Sequence, residues 1–347
     1  MKKQKLKVGI AGYGVVGKRR RHFIDLNPDL KTVAVCDQKF KGSGVMSDGV
    51  KFHKNYRELL KEPLDVMFIS LPNYLAAEVT VASLKKGLHV FCEKPPGRTV
   101  SDIEWVIEVS KKYPRQLLKY GFNHRYHDSV KKALEIIRSG RLGSIINVRG
   151  VYGKSKIIPF SGGWRAERRY SGGGILLDQG IHMVDLIRLF CGNIVDVKSF
   201  VSNAFWKHDV EDNAYAIMKD DKGRIAMVHS SATQWQHRFS LDISLTKGFL
   251  ELRGILSGSK SYGSEKLIIG QRDESDAGTT REETITFLED NSWRDEINEF
   301  ADLIVSGKKV MTGSREDALA AMQLVYKIYR GDSDWAKAFN IPAPKKT

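Results

Sequence analysis

The chain has 347 residues, 41% of them hydrophobic and 28% charged, with a formal net charge of +15. That length gives two domains with ample core, and the balance is that of a soluble globular protein. No apolar run is long enough to cross a bilayer and no apolar signal core follows the first residues, so a cytoplasmic protein with no membrane partner is expected. Cys36, Cys92 and Cys191 are far apart, each in or beside an apolar run. They read as reduced, buried thiols and exclude a disulfide framework or a metal knuckle. The basic residues lie in short clusters such as 18–21 and 165–169, without a basic arm, helix-turn-helix or zinc-finger spacing. A nucleic-acid partner is therefore not expected, and a phosphate-bearing ligand is the better use of the charge.

Residues 6–11 (LKVGIA) are a predicted strand that runs into Gly12-Tyr13-Gly14-Val15-Val16-Gly17 and then a helix to about Leu26. A second strand, 32–36, ends at Asp37, followed by Gln38. Strand, Gly-x-Gly-x-x-Gly, helix, strand and acid form the dinucleotide fingerprint in its full context. Gly12 allows the tight turn, Gly14 lets backbone approach a pyrophosphate, and Gly17 lets helix pack on strand. The N–H groups of the helix start face the phosphates. Asp37 at the ribose favours NAD over NADP, although Lys39 two residues on could offset its charge, so NADP stays open. Of Arg19, Arg20 and Arg21, at least two are expected on a solvated helix face.

The alternation continues with a short helix at 55–61, a strand at 65–70 ending in Leu71-Pro72-Asn73, and a helix at 74–86 stopped by Gly87. The strand 88–92 stops at Glu93-Lys94-Pro95-Pro96, because proline lacks an N–H and fixes φ. Lys94 thus stands at the C-terminal end of a buried strand, where open α/β sheets bind ligands. A helix over 100–112 follows, with Ser101 and Glu104 at capping-box spacing. A strand at 117–122 leads to Asn123-His124-Arg125-Tyr126. Residues 1–123 are accordingly a doubly wound parallel sheet of Rossmann type.

After that the pattern changes. A helix is predicted over 129–139, a strand over 145–152, a loop rich in Gly, Arg and aromatics over 154–174, and a helix over 175–190. Strands at 213–218, 224–232, 239–245, 249–253, 267–269 and 283–287 alternate in polarity around tight turns. Helices at 293–305 and 315–329 close the chain, the last being the candidate to pack back on the first domain. Residues 124–347 read as an α+β domain with a large open, mostly antiparallel sheet.

Asp178 and His182 are four apart on a predicted helix, which puts them on one face, with Asp185 three further on. Such an acid can hold an imidazole in one tautomer and stabilise its cation; the pair could also ligate a metal, or His182 could be a satisfied interface histidine. With no third Cys or His nearby, no metal is expected. Tyr152-Gly153-Lys154-Ser155-Lys156 and the stretch from Trp164-Arg165 to Ser171 are basic and aromatic, which suits phosphate and ring stacking.

Gly12-x-Gly14-x-x-Gly17, Leu71-Pro72-Asn73, Glu93-Lys94-Pro95, Gly121-Phe122-Asn123 and Gly172-Gly173-Gly174-x-x-x-Asp178-x-Gly180-x-His182 occur in that order. Together they resemble the glucose–fructose oxidoreductase / inositol dehydrogenase (Gfo/Idh/MocA) family over nearly the whole chain. The resemblance implies a Rossmann domain plus an α/β domain, and NAD(P)-dependent redox chemistry on a sugar, cyclitol or related secondary alcohol. It implies Lys94, Asp178 and His182 as the catalytic group. It also adds Leu71, Pro72, Asn73, Glu93, Asn123, Trp164 and Arg165 to the cofactor contacts, and Arg125, Tyr126, Tyr152 and Lys154 to the substrate contacts. Tyr74 departs from the histidine that many relatives carry there, which leaves the local contacts open.

His182, positioned by Asp178, is the expected general base, Lys94 the stabiliser of a developing alkoxide, and Glu93 a group that orients Lys94 or a ribose hydroxyl. The subset most resembled oxidises nucleotide-linked sugars, commonly at ring C3, for surface polysaccharides. The rivals are a free sugar or inositol dehydrogenase or ketoreductase, an NAD-dependent glycosidase, and a cofactor-binding sensor or scaffold. The open sheet needs cover, which points to a homodimer or homotetramer.

Overall fold

The computed structural model describes residues 4–155, 163–257, 261–272 and 280–343. The chain forms two compact units, one made of Met1–Asn123, Arg169–Gly172 and Trp293–Ala320, the other of His124–Arg168, Gly173–Ser292 and Ala321–Thr347. Among the described residues no helix is long and apolar enough to cross a membrane.

The first unit holds strands β1 (Leu6–Ala11), β2 (Leu30–Cys36), β3 (Gly44–Val45), β4 (Lys51–His53), β5 (Val66–Ile69), β6 (His89–Glu93) and β7 (Leu118–Gly121). Their order is β3-β4-β2-β1-β5-β6-β7, and every pairing is parallel except the short β3–β4 one. The order reverses about β1, the switch point at which this sheet type binds ligands. The central strand β5 is an apolar run buried at every position, as a doubly covered sheet requires. Phe68 and Phe91 stack at 4.9 Å between centroids, and Phe300 meets both edge-on. Ile297 and Ala301 join it, so the helix Ser292–Ser306 completes a core that begins with Val8 and Ile10.

Two local features differ from what the sequence predicts. The capping box lies at Thr99 and Asp102, not at Ser101 and Glu104. Thr99 keeps an extended backbone, its hydroxyl accepts from Asp102 N, and Asp102 accepts from the backbone N–H groups of Arg98 and Thr99. The solvated-face reading of the arginine cluster also fails. Arg20 is wholly buried, and Arg19 and Arg21 are half-buried, Arg21 being tied to Tyr13, Asp25 and Asp48.

The second unit holds β8 (Ile145–Ser155), β9 (Ile194–Ser202), β10 (Asn213–Asp220), β11 (Ile225–Gln234), β12 (Arg238–Leu245), β13 (Gly248–Arg253), β14 (Glu265–Arg272) and β15 (Thr280–Phe287). They lie in the order β15-β14-β13-β12-β8-β11-β10-β9. All neighbours are antiparallel except β8 and β11. On β10, buried and exposed residues alternate almost perfectly. The inner face packs on the helix Ile181–Cys191: a Cβ on Gly150 would lie 2.5 Å from Met183 Sδ, so strand and helix meet closely there. The outer face presents Phe200, Tyr215 and Ile217 in adjacent strands, Phe200 being 80% exposed.

The sequence predicts one regular helix over 175–190, but residues Leu176–Gly180 form a π turn before Ile181–Cys191. Ser230 Oγ donates to the Ile175 carbonyl at 3.2 Å, and Gly180 packs on the same serine, so this turn is wound against β11. Asp178 lies in the π turn and His182 in the regular helix.

Candidate functional site

The glycine turn after β1 is fixed by its own backbone. Gly12 has φ +91, and a Cβ there would lie 2.3 Å from the Ser70 carbonyl oxygen. A Cβ on Gly17 would lie 1.9 Å from the Gly12 carbonyl oxygen. A Cβ on Gly14 would meet nothing within 4 Å. Two glycines are thus demanded by the protein, and the third faces open space at the start of the helix Val15–Leu26. Val15 is 87% exposed there, an apolar side chain left at the mouth of the turn. At the end of β2, Asp37 accepts from Tyr13 N at 2.9 Å and from Lys39 N at 3.0 Å, and Gln38 is exposed. An open glycine cradle, a helix start without a side-chain cap and a fixed carboxylate beside them fit a dinucleotide's pyrophosphate and ribose.

The neighbouring strand ends carry the next group. Leu71 and Pro72 lead into the helix Asn73–Lys85, and the buried Asn73 amide donates to Ser171 O at 2.6 Å. Tyr74 meets Tyr170 at 5.2 Å between ring centroids. Gly172, in the same unit, is pressed on Arg98, where a Cβ would lie 2.2 Å from the carbonyl oxygen. Lys94 follows Glu93 at the end of β6, half-buried, and Asn123 is buried just after β7. Glu93 is held by Arg20, whose Nε stands 2.6 Å from Oε1. On its other side Arg20 Nη2 is 2.7 Å from Glu296 Oε2, and its guanidinium lies between the rings of Phe91 and Trp293. Burial pushes the Glu296 carboxyl up to about 7, against the pull of Arg20 and Lys119.

In the second unit, His182 is buried and its ring stacks on His124, with 3.7 Å between centroids and 13° between planes. His124 Nε2 is 3.1 Å from the Tyr152 hydroxyl. Burial lifts the Tyr152 phenol well above its ordinary range, with Tyr262 and Asp178 adding to the shift, so it stays protonated. Asp178 faces Lys154 Nζ at 3.8 Å and Arg165 Nε at 3.9 Å. The Arg165 guanidinium also lies over the Trp164 ring. The predicted residues thus fall into two contact groups, His182 with Tyr152 through His124, and Asp178 with Lys154 and Arg165. Lys156 lies outside the described residues.

Other predicted contacts turn inward. Arg125 makes a bidentate pair with the buried Asp185, at 2.7 and 2.6 Å, and Tyr126 is buried beside it in sequence. Arg168 faces Tyr329, Trp335 and Phe339. Three residues that the sequence reading gave no role contribute here: Arg20, His124 and Glu211. Glu211 accepts from Gly174 N, Leu176 N and the Tyr329 hydroxyl. Arg20, in the basic cluster 18–21, and His124, inside Asn123-His124-Arg125-Tyr126, lie in stretches that the sequence marks; Glu211 does not. The three cysteines are buried without disulfides, and burial raises their thiols to about 12, 12 and 11 for Cys36, Cys92 and Cys191. Among the described residues no group of three or more His, Cys, Asp and Glu could hold a metal.

Comparison with known proteins agrees with both halves. Residues 6–121 match the oxidoreductase family with NAD-binding Rossmann fold, and residues 130–251 match the GFO/IDH/MocA C-terminal domain. The chain is 28% identical over 205 residues to 1,5-anhydro-D-fructose reductase of Ensifer adhaerens, covering 58% of this chain and 60% of that one. It is 31% identical over 160 residues to inositol 2-dehydrogenase of Salmonella paratyphi B, covering 44% and 48%. The matched stretch thus spans between about half and three-fifths of these curated relatives. A levoglucosan dehydrogenase solved in complex with NADH superposes with a TM-score of 0.83 at 20% identity, over 96% of this chain and 98% of that one, a likeness of fold. With a glycine cradle and acid in one unit, an Asp178/His182 helix on an open sheet in the other, and family matches to each, the chain belongs to the Gfo/Idh/MocA oxidoreductase family.

Proposed function

We propose that this protein is an NAD(P)-dependent oxidoreductase that interconverts a secondary hydroxyl and a ketone on a sugar or cyclitol. The observation that carries the reading is the cradle: Gly12 and Gly17 are held to glycine by backbone oxygens, while Gly14 opens on space free of protein. A nicotinamide dinucleotide, when bound, supplies the hydride acceptor or donor. Asp37 would bond the ribose hydroxyls and the helix start the pyrophosphate. His182 would take the proton of the reacting hydroxyl, and the Lys94 ammonium would stabilise the alkoxide that develops there. Asp178 would hold His182 in the productive tautomer and steady its cation.

The finer reading is a nucleotide-linked sugar, oxidised at ring C3 in making surface polysaccharide. It is supported by the cationic flank of Asp178, Lys154 and Arg165, and by the net charge of +15. The test is to mix the protein with NAD or NADP and a panel of nucleotide sugars, free sugars and inositols, and to follow NADH or NADPH absorbance. Stoichiometric reduced cofactor with a nucleotide sugar alone supports the finer reading. Activity on free sugars or inositols alone would sink it and keep the coarser one. Glycoside cleavage without net reduced cofactor would replace both. The exposed Phe200, Tyr215 and Ile217 face is the proposed contact of a homodimer or homotetramer, to be checked by sedimentation; a monomer at micromolar concentration removes it.

A further inference from the structure

The helix that carries Asp178 and His182 begins with N–H groups that no earlier turn can satisfy. A single distant residue takes them. Gly174 N donates to Glu211 Oε2 at 2.8 Å, Ile175 N to Glu211 O at 3.1 Å, and Leu176 N to Glu211 Oε1 at 3.0 Å. Glu211 is 1% exposed, and its Oε1 also accepts from the Tyr329 hydroxyl at 2.7 Å. Its charge faces the positive end of the helix dipole, with Arg168 Nη2 3.8 Å away. The same two residues account for two of the three glycines. A Cβ on Gly174 would lie 2.0 Å from Glu211 O, and a Cβ on Gly173 would lie 2.1 Å from the Tyr329 hydroxyl oxygen.

We propose that Glu211, braced by Tyr329, is the positioning residue of the Asp178/His182 segment: it caps that helix from the remote segment just before β10 and fixes where the two side chains stand. The π turn at Leu176–Gly180 adds to the need, because Asp178 lies in a stretch wound differently from the helix that holds His182. The claim about catalysis rests on the functional reading above; the claim about the cap does not.

The test uses the full chain with Glu211→Gln, Tyr329→Phe, Gly173→Ala and the pair Gly173→Ala/Tyr329→Phe. Amide hydrogen exchange over residues 174–182 reads the cap without any substrate. Glu211→Gln is expected to speed exchange there about tenfold or more, because the amide nitrogen cannot accept from one of the two N–H groups. Gly173→Ala is expected to do the same, and adding Tyr329→Phe to recover most of the protection by removing the clashing oxygen. With a substrate in hand, kcat is expected to fall about tenfold to a hundredfold in Glu211→Gln, with KM for the dinucleotide within about twofold. If Glu211→Gln does not fold, Tyr329→Phe and the Gly173 pair still decide. Wild-type protection in folded Glu211→Gln, or no recovery in the double variant, overturns the proposal. Lost protection with unchanged kcat overturns its catalytic half. Lack of turnover in the wild type with every sugar and cyclitol counts against the functional reading and leaves the exchange result standing.

Discussion

The Arg20 guanidinium stands 2.6 Å from Glu93, the residue immediately before Lys94, and 2.7 Å from Glu296 on the far side. One arginine from the first helix therefore anchors the end of β6 to the helix Ser292–Ser306. Glu93, expected to orient Lys94 or a ribose hydroxyl, is itself held through Oε1 by Arg20.

Replacing Arg20 with Met leaves two carboxylates in a buried site without their cation. Breaking a buried pair this way costs about 3–5 kcal/mol, so urea unfolding should show a loss of that size. Arg20→Lys should recover only part of it, since one ammonium cannot match the fork that reaches both acids. A loss below about 1 kcal/mol would mean the network adds nothing to stability.

Glu296 sets a pH dependence. Burial raises its carboxyl to about 7 in the folded chain from an ordinary 4.5. The folded state therefore holds this proton more tightly than the unfolded one. Its contribution to stability is complete below 4.5 and declines as pH rises from there to about 7. Glu296→Gln should flatten the stability profile across that window. Urea midpoints measured at several pH values check it; a variant that keeps the wild-type slope assigns the effect elsewhere.

His124 fixes the ring of His182 by stacking and is itself held by Tyr152. His124→Ala should loosen His182 and lower kcat about tenfold, leaving KM for the dinucleotide nearly unchanged. His124→Phe keeps a ring against His182 and should retain more activity than the alanine variant. Equal kcat in all three proteins removes His124 from any role in the reaction.

Lys94→Met should bind the dinucleotide with nearly wild-type affinity and lose at least about a hundredfold in turnover. Fluorescence titration of the reduced cofactor separates the two effects. Asp37→Ala should weaken NAD more than NADP in the same titration, because the carboxylate that bonds the ribose also repels a 2′-phosphate; loss of both to the same extent points to a broken turn.

How much the sequence revealed followed the range of the interactions. The turn at Gly12–Gly17 is local, and its glycines, strand and acid could be read together. The alternation of 213–218 marks β10, but in the strand Ile194–Ser202 burial does not follow polarity, with Val195 and Phe200 exposed, and the sequence gives no inner face to read there. Ser101 and Glu104 match a capping box as well as Thr99 and Asp102 do; only the extended backbone at Thr99 decides between them. Nothing in the sequence sets Arg20 apart from its half-buried neighbours Arg19 and Arg21, because one of the acids that bury it, Glu296, is near the other end of the chain. The π turn under Asp178 depends on Ser230, from a strand fifty residues on, and no helical period reports it.

The place of Phe300 against Phe68 and Phe91 sets an order of events at the ribosome. All seven strands of the first sheet are made by Gly121, yet the side chains that seal one part of its core, Ile297, Phe300 and Ala301, are made much later. At an elongation rate of about 5–20 residues per second, the nascent sheet waits on the order of ten seconds or more with that patch uncovered. Arg20 waits the same interval with Glu93 but without Glu296. Nascent chains stalled before Trp293 should therefore be more protease-sensitive and chaperone-bound than chains stalled beyond Ser306, even though both contain the whole glycine turn and Lys94.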